Sequence, residues 1–189
     1  MLRRIILVTL LFILIFGGLI WAINRRGGAP DQDVEVKVTK LVDYADTSTE
    51  VKYILRGPIN ALENHRILEI TVGRNRRSAV IYEGYNGNIL RAEDFINTQA
   101  AYSQFLAALE NNGYTNTRIA EPNIIAEGAC SGDRRADFEI TQGSETLQSL
   151  WTTSCSGVSG TFAGNSANIR RLFEAQLPDY NEFVNGVNF

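Results

Sequence analysis

Residues 68–82 read Leu-Glu-Ile-Thr-Val-Gly-Arg-Asn-Arg-Arg-Ser-Ala-Val-Ile-Tyr, and this segment carries the clearest structural signal in the chain. Leu68, Ile70 and Val72 alternate with polar residues, which is the period of a half-buried β-strand. Residues 73–76 form a turn, and residues 79–82 return as an apolar partner strand. The segment therefore predicts an antiparallel hairpin with one face in a hydrophobic core.

Apolar alternation predicts further strands on both sides of this hairpin. Residues 34–38 and 51–55 each alternate between apolar and polar side chains. Nearer the C-terminus, residues 136–141 and 146–154 flank a turn at residues 142–144 and predict a second hairpin.

Two segments carry the spacing of amphipathic helices. The first has apolar residues at helical spacing from Tyr102 to Leu109 and ends at Asn112-Gly113. Residues 84–88 are predicted as a turn that leads directly into it. The second begins at Asn165 or Ser166 and ends before Pro178, and its apolar face is formed by Ile169, Leu172, Phe173 and Leu177.

Composition limits the size and class of the folded part. The chain has 189 residues, of which 44% are hydrophobic and 21% charged. These values support one core and exclude a disordered chain, a disulfide-dense miniprotein and a multi-domain enzyme.

The N-terminal region contains an uncharged apolar run. Residues 5–23 form 19 positions without a charged side chain, about 28 Å as a helix against a hydrocarbon core of about 30 Å. Trp21 near one end is typical of the headgroup level. A signal peptide is the alternative, but its apolar part usually has only about 7 to 15 residues. The run therefore predicts a retained transmembrane helix.

The predicted organisation has three parts. Residues 1–24 form a cytoplasmic tip and transmembrane anchor, residues 25–32 a glycine- and proline-containing hinge, and residues 33–189 a domain outside the cytoplasm. A small excess of positive charge at the amino terminus favours this single-pass orientation in the cell membrane. The predicted fold class is α+β, with the transmembrane helix followed by an antiparallel sheet that has helices packed on one side.

The charge of the outer domain limits its partners. After position 30 the chain carries 14 basic and 21 acidic residues, so its net charge is 14 − 21 = −7. Such a domain repels polyanions, which excludes nucleic acid as a partner. The lipid bilayer is the expected partner of the N-terminal helix.

Cys130 and Cys155 are the only cysteines and lie 25 positions apart. In a domain outside the cytoplasm they predict a disulfide, which contributes about 3 kcal/mol to stability. Two buried thiols are the alternative. Two cysteines and the distant His65 do not complete a four-ligand zinc site, so no metal or cofactor is expected.

Three carboxylates are candidates for acid and base chemistry. Asp137 and Glu139 lie two apart on a predicted strand and therefore project from one face. Glu69 has a comparable position in the first hairpin. Such pairs serve general acid–base catalysis, although solvent-facing acids also belong on this face. His65 has no neighbouring nucleophile and is expected to be a surface or capping residue.

Three arginines crowd the tip of the first hairpin: Arg74, Arg76 and Arg77. Anions or the carboxylates of a partner can dock on such a tip. A hydrated tip without a partner is the alternative.

Several short motifs together resemble uncharacterised single-anchor surface proteins of ultrasmall candidate-phylum bacteria such as Saccharibacteria. The resemblance covers about residues 50 to 180 and implies an exported domain, without an activity or a ligand. Its motifs are Gly84-Tyr85, Ala101-Tyr102, Phe105-Leu106, Leu109, Gly128, Cys130, Gly132, Trp151, Cys155, Gly160-Thr161-Phe162, Leu172-Phe173 and Pro178-Asp179-Tyr180.

The sequence thus favours a non-catalytic binding or assembly module of the cell envelope, with an envelope protein or a glycan as partner. One alternative is an envelope hydrolase that uses Glu69, Asp137 or Glu139. The other is a pilin-like or secretion-complex subunit, but residues 27–30 would interrupt the continuous helix that such a subunit needs.

Overall fold

The computed structural model describes residues 40–119 and 130–189. A 3-10 helix, Leu41–Tyr44, precedes the first strand. The other elements, in chain order, are β1 (Thr49–Arg56), β2 (Arg66–Gly73), β3 (Arg76–Glu83), β4 (Asn88–Ile96), α1 (Gln99–Asn111), β5 (Arg135–Gln142), β6 (Glu145–Thr153), α2 (Ser166–Glu174) and α3 (Tyr180–Phe183).

The strands form one antiparallel sheet in the order β4-β3-β2-β1-β5-β6. The first four strands follow one another as a meander, and β5 then returns to the free edge of β1. Strand β1 therefore pairs on both sides, and Tyr53 lies opposite Ile70 of β2 and Phe138 of β5.

The core lies on one face of this sheet. Alternate residues of the central strands, such as Val51 and Ile70, are fully buried there. Helices α1 and α2 cover them with their own apolar sides, including Leu106 and Phe173. The predicted α+β class, with an antiparallel sheet and helices packed on one side, is confirmed.

Capping residues set where the helices begin. The side chain of Thr98 accepts a hydrogen bond from the Ala101 amide at the start of α1. Of the two predicted starts of α2, Asn165 is the cap, because its side chain accepts from the Asn168 amide. The C-terminal tail packs against the core as well, since Phe183 is buried.

Strand β4 is an element that the sequence pattern did not predict. Residues 84–87 turn the chain as expected, but the chain then adds an edge strand before α1 begins. Every residue of β4 except Phe95 is exposed. Since neither face of this strand is buried, its sequence shows no apolar alternation to reveal it.

Other predictions fall partly or wholly outside the described residues. These are the apolar segment 5–23, the hinge 25–32 and the strand at 34–38. After α1, an isolated bridge pairs Thr117 with Phe162. Within residues 40–119 and 130–189, no helix is both long and apolar enough to cross a bilayer.

The predicted disulfide between Cys130 and Cys155 is present, with the two Cα atoms 6.0 Å apart. It joins the chain just before β5 to the chain just after β6. The second hairpin is therefore closed at its open end.

The segment after β6 packs unusually closely on the rest of the domain. Its backbone is held by the Phe162 amide, which donates to the Trp151 carbonyl at 3.0 Å. A Cβ atom on Gly160 would overlap that carbonyl, and one on Gly164 would overlap the Gly113 carbonyl. Only glycine fits at these two positions.

Replacing Gly160 with alanine is expected to lower the free energy of unfolding by about 2 kcal/mol, because the backbone must move away from Trp151. Gly132→Ala is the matched control, since nothing lies within 4 Å of its added Cβ, and it should change stability by less than about 0.5 kcal/mol. Chemical denaturation of both variants measures the difference. Equal midpoints would contradict the close packing described here.

Candidate functional site

The face of the sheet opposite the helices carries the charged residues of the central strands. On β1, Lys52 and Arg56 alternate with the core residues and therefore project to this second face. The strand register places Lys52 opposite Glu139 and Arg56 opposite Arg135. Six residues here form what we call the charge cluster: Lys52, Arg56, Glu69, Arg135, Asp137 and Glu139.

Asp137 is the most enclosed member of the charge cluster. Its carboxylate lies between two guanidinium groups, with Arg56 Nε 2.7 Å from Oδ2 and Arg135 Nε 2.9 Å from Oδ1. Its side chain is only 7% exposed. Two charged donors at these distances fix the position and orientation of the carboxylate.

Glu69 is held on the same face by a different partner. Its Oε1 atom lies 3.6 Å from Lys52 Nζ and accepts a hydrogen bond from Thr71 Oγ1 at 3.3 Å. The charge cluster contains three basic and three acidic side chains, so it is neutral as a whole. The structure thus places all three predicted carboxylates on one surface, and a basic side chain lies near each of them.

Glu139 differs from the other two carboxylates because its charge is poorly compensated. Burial raises its pKa above the ordinary value, and the carboxylates of Asp137 and Glu69 raise it further. Lys52 and Arg56 act in the opposite direction without cancelling these effects. Among the residues that the structure describes, Glu139 forms no ion pair. It is the member of the cluster best suited to exchange a proton.

A cleft of about 260 Å³ adjoins the charge cluster at Arg56 and Arg135. We call it the His65 cleft. Ile59, Ile67 and Tyr85 form its apolar wall, and the remaining lining comes from Gly57, His65, Cys130, Ser131 and Asp133.

His65 is buried, so the expectation of a surface or capping residue was wrong. Its ring stacks on Tyr85 with centroids 4.2 Å apart and planes 12° apart. Its Nδ1 atom lies 3.0 Å from the Pro58 carbonyl oxygen. The Tyr85 hydroxyl in turn donates to the Asn60 carbonyl and accepts from the Asn60 amide. His65 therefore stiffens the wall of the cleft.

The three arginines of the hairpin tip do not converge on one point. Arg74 donates to the Asp46 carbonyl at 3.1 Å, and Arg76 Nε lies 3.3 Å from Asp94 Oδ1. The Arg77 guanidinium lies 5.8 Å from the centre of the Phe95 ring. Each arginine thus has its own neighbour among the described residues, and anion or partner binding at the tip stays a prediction.

A larger depression of about 620 Å³ opens beside β4, lined by residues that include Arg91, Glu93, Asp179 and Glu182. Arg91, the basic residue among the described lining residues, already donates to the carbonyl groups of Phe183 and Asn185. The lining is mostly polar, and it lies away from the charge cluster. The larger volume therefore does not make it the better candidate site.

Sequence reasoning missed the cations of the charge cluster, and it did not bring His65, Tyr85 and Cys130 together in one cleft. Lys52 and Arg56 were visible as the polar positions of an alternating strand. Their partners were not, because Arg56 and Asp137 lie 81 positions apart in the chain. Only the pairing of β1 with β5 brings them together.

Comparison with known proteins adds no relative from which a residue role can be transferred. The chain matches no protein-family model, and no curated protein matches it significantly. The function must therefore be argued from the geometry of the described residues.

Removing the Asp137 carboxylate is expected to break its ion pairs with two neighbouring guanidinium groups. Asp137→Ala should lower the free energy of unfolding by about 2 kcal/mol, less than for a fully buried pair because a third of Arg56 stays in solvent. Asp94→Ala removes a carboxylate whose side chain is 62% exposed beside Arg76, and should change stability by less than about 0.5 kcal/mol. Denaturant titration of both variants checks this. Similar losses in the two would mean that the enclosure of Asp137 has no energetic consequence.

Because the pKa of Glu139 is raised, we expect Glu139→Gln to gain stability relative to the wild type as pH rises. The folded state binds this proton more tightly than the unfolded state. Glu139 therefore contributes to the stability of the wild-type protein below its unfolded pKa, and this contribution is lost as pH rises through its folded pKa. The neutral amide removes that loss. The melting temperature of the variant relative to wild type should therefore be higher at pH 7 than at pH 4, measured by circular dichroism. A difference that does not change with pH would contradict the assignment.

Proposed function

We propose that the chain is a membrane-anchored binding module of the cell envelope, and that its contact surface is the second face of the sheet around the charge cluster and the His65 cleft. The partner would be an envelope protein or a glycan. The anchor would confine the domain near the membrane and raise its effective concentration towards such partners.

The observation that carries the proposal is the ion-pairing of Asp137. A general acid or base must lie within hydrogen-bond reach of the substrate. Both oxygens of Asp137 are instead in contact with Arg56 and Arg135, and its side chain is only 7% exposed. An arrangement in which charges are paired within the protein and an apolar cleft opens beside them favours recognition over catalysis.

One observation favours the alternative of an envelope hydrolase, namely the raised pKa of Glu139. A glycosidase mechanism also needs a second carboxyl group that faces the substrate. Glu69 is paired with Lys52, and Asp137 is enclosed. Glu139 therefore lacks a suitable second group within the charge cluster, and the binding function is the better supported of the two.

The location outside the cytoplasm draws support from two independent features. The apolar run at residues 5–23 has the length of a bilayer-spanning helix. The disulfide between Cys130 and Cys155 is typical of oxidising compartments. Both features fit a single-pass protein whose C-terminal domain lies outside.

The topology can be tested with the full chain carrying a C-terminal epitope in a bacterial host. We expect the protein to stay in the membrane pellet after an alkaline wash, and protease added to spheroplasts to remove the epitope. The double variant Leu11→Arg, Leu14→Arg is the control and should lose membrane retention, since each arginine opposes insertion by about 3 kcal/mol. An epitope that is digested only after the cells are lysed would overturn the proposed location.

A further inference from the structure

We infer that the His65 cleft binds the C-terminal residue of a peptide, with the free carboxylate on Arg56 and an apolar side chain against the opposite wall. This inference rests on the proposed function and names its ligand. It depends on the wall, the cation and the shape of the cleft, which point to the same ligand chemistry.

The wall is apolar and exposed. Ile59 is 57% exposed and Tyr85 is 49% exposed, although both are large side chains that gain free energy when covered. Ile67 continues this surface into the cleft. An apolar ligand group that covers the three side chains would remove this surface from water.

The wall is also preformed. The Ile59 amide donates to the Ser131 carbonyl at 2.7 Å, and the ring of Tyr85 is fixed by the His65 stack and by two hydrogen bonds to Asn60. A binding surface that is already ordered loses little conformational entropy when a ligand arrives.

Arg56 supplies the cationic end. In the ion pair with Asp137 it uses Nε, and within residues 40–119 and 130–189 neither of its Nη groups donates a hydrogen bond. Its side chain is 34% exposed and lines the cleft. The Nη groups of a guanidinium form a fork that can bind a carboxylate, so Arg56 complements the free terminus of a peptide.

The size of the cleft and its apolar wall restrict the ligand to one apolar terminal residue. The volume of about 260 Å³ is below the range of about 300 to 1,000 Å³ that is usual for drug-sized ligands. An acidic side chain would gain nothing by covering the wall of Ile59, Ile67 and Tyr85, so it is disfavoured. The cleft is not an enclosed cavity, which leaves a path for the rest of the peptide.

The test uses the full-length protein in detergent micelles and the tripeptide Gly-Gly-Phe, with binding followed by isothermal titration calorimetry. We expect saturable binding of the free acid, and affinities at least about tenfold weaker for the C-terminal amide and for Gly-Gly-Glu. Equal binding of acid and amide, or no saturable heat at millimolar peptide, would overturn the inference.

Variants of the protein locate the binding. Arg56→Gln should weaken binding of the free acid at least about tenfold, whereas Arg76→Gln, the same change on the exposed hairpin tip, should leave it unchanged. Ile59→Asp provides a second variant at an exposed position, so folding is preserved, and it should weaken binding to a similar degree. Loss of binding in Arg76→Gln equal to that in Arg56→Gln would overturn the assignment to this cleft.

The peptide-binding experiment and the topology experiment can fail independently of each other. A protein with its domain in the cytoplasm could still bind the free acid in micelles, which would remove the proposed location alone. An anchored protein with an exposed domain that binds neither acid nor amide would remove the ligand assignment alone.

Discussion

The arrangement of this domain depends on strand β1, which is hydrogen-bonded along both of its edges. Residues 50–56 of β1 each have a partner on β2 and another on β5, as Lys52 has in Thr71 and Glu139. A shift of one residue would move Lys52 into the core and Tyr53 into solvent. The hydrophobic core and the charge cluster are therefore two consequences of one register.

On the core face of the sheet, the position of β1 is supported by buried tyrosines whose hydroxyl groups are hydrogen-bonded to backbone carbonyls. The Tyr114 hydroxyl lies 2.6 Å from the Lys52 carbonyl oxygen and 2.8 Å from that of Glu139, at the junction of β1 and β5. The Tyr102 hydroxyl donates to the Thr49 carbonyl at 2.7 Å. Burial raises the pKa of Tyr114 far above its ordinary value, so this hydroxyl remains a neutral donor.

On the opposite face of the sheet, the charge cluster, which is neutral as a whole, lies beside the open His65 cleft. Paired charges such as Asp137 with Arg56 and Arg135 fix the orientation of the guanidinium groups. The stack of His65 on Tyr85 fixes the apolar wall next to them. A rigid sheet face with ordered donors and exposed apolar surface suits recognition, because little has to be ordered on binding.

Local patterns were enough to predict both hairpins, the two long helices and the α+β class, because alternation, helical spacing and capping are properties of neighbouring residues. The disulfide was predicted differently, from a single pair of cysteines in a domain expected outside the cytoplasm. Local patterns did not reveal β4, since a strand exposed on both faces has no apolar period. They also gave no sign that His65 is buried or that Arg56 meets Asp137. Those contacts arise from the pairing of β1 with β5 and from the packing of distant loops, and a single chain segment contains no record of which distant segment will lie beside it.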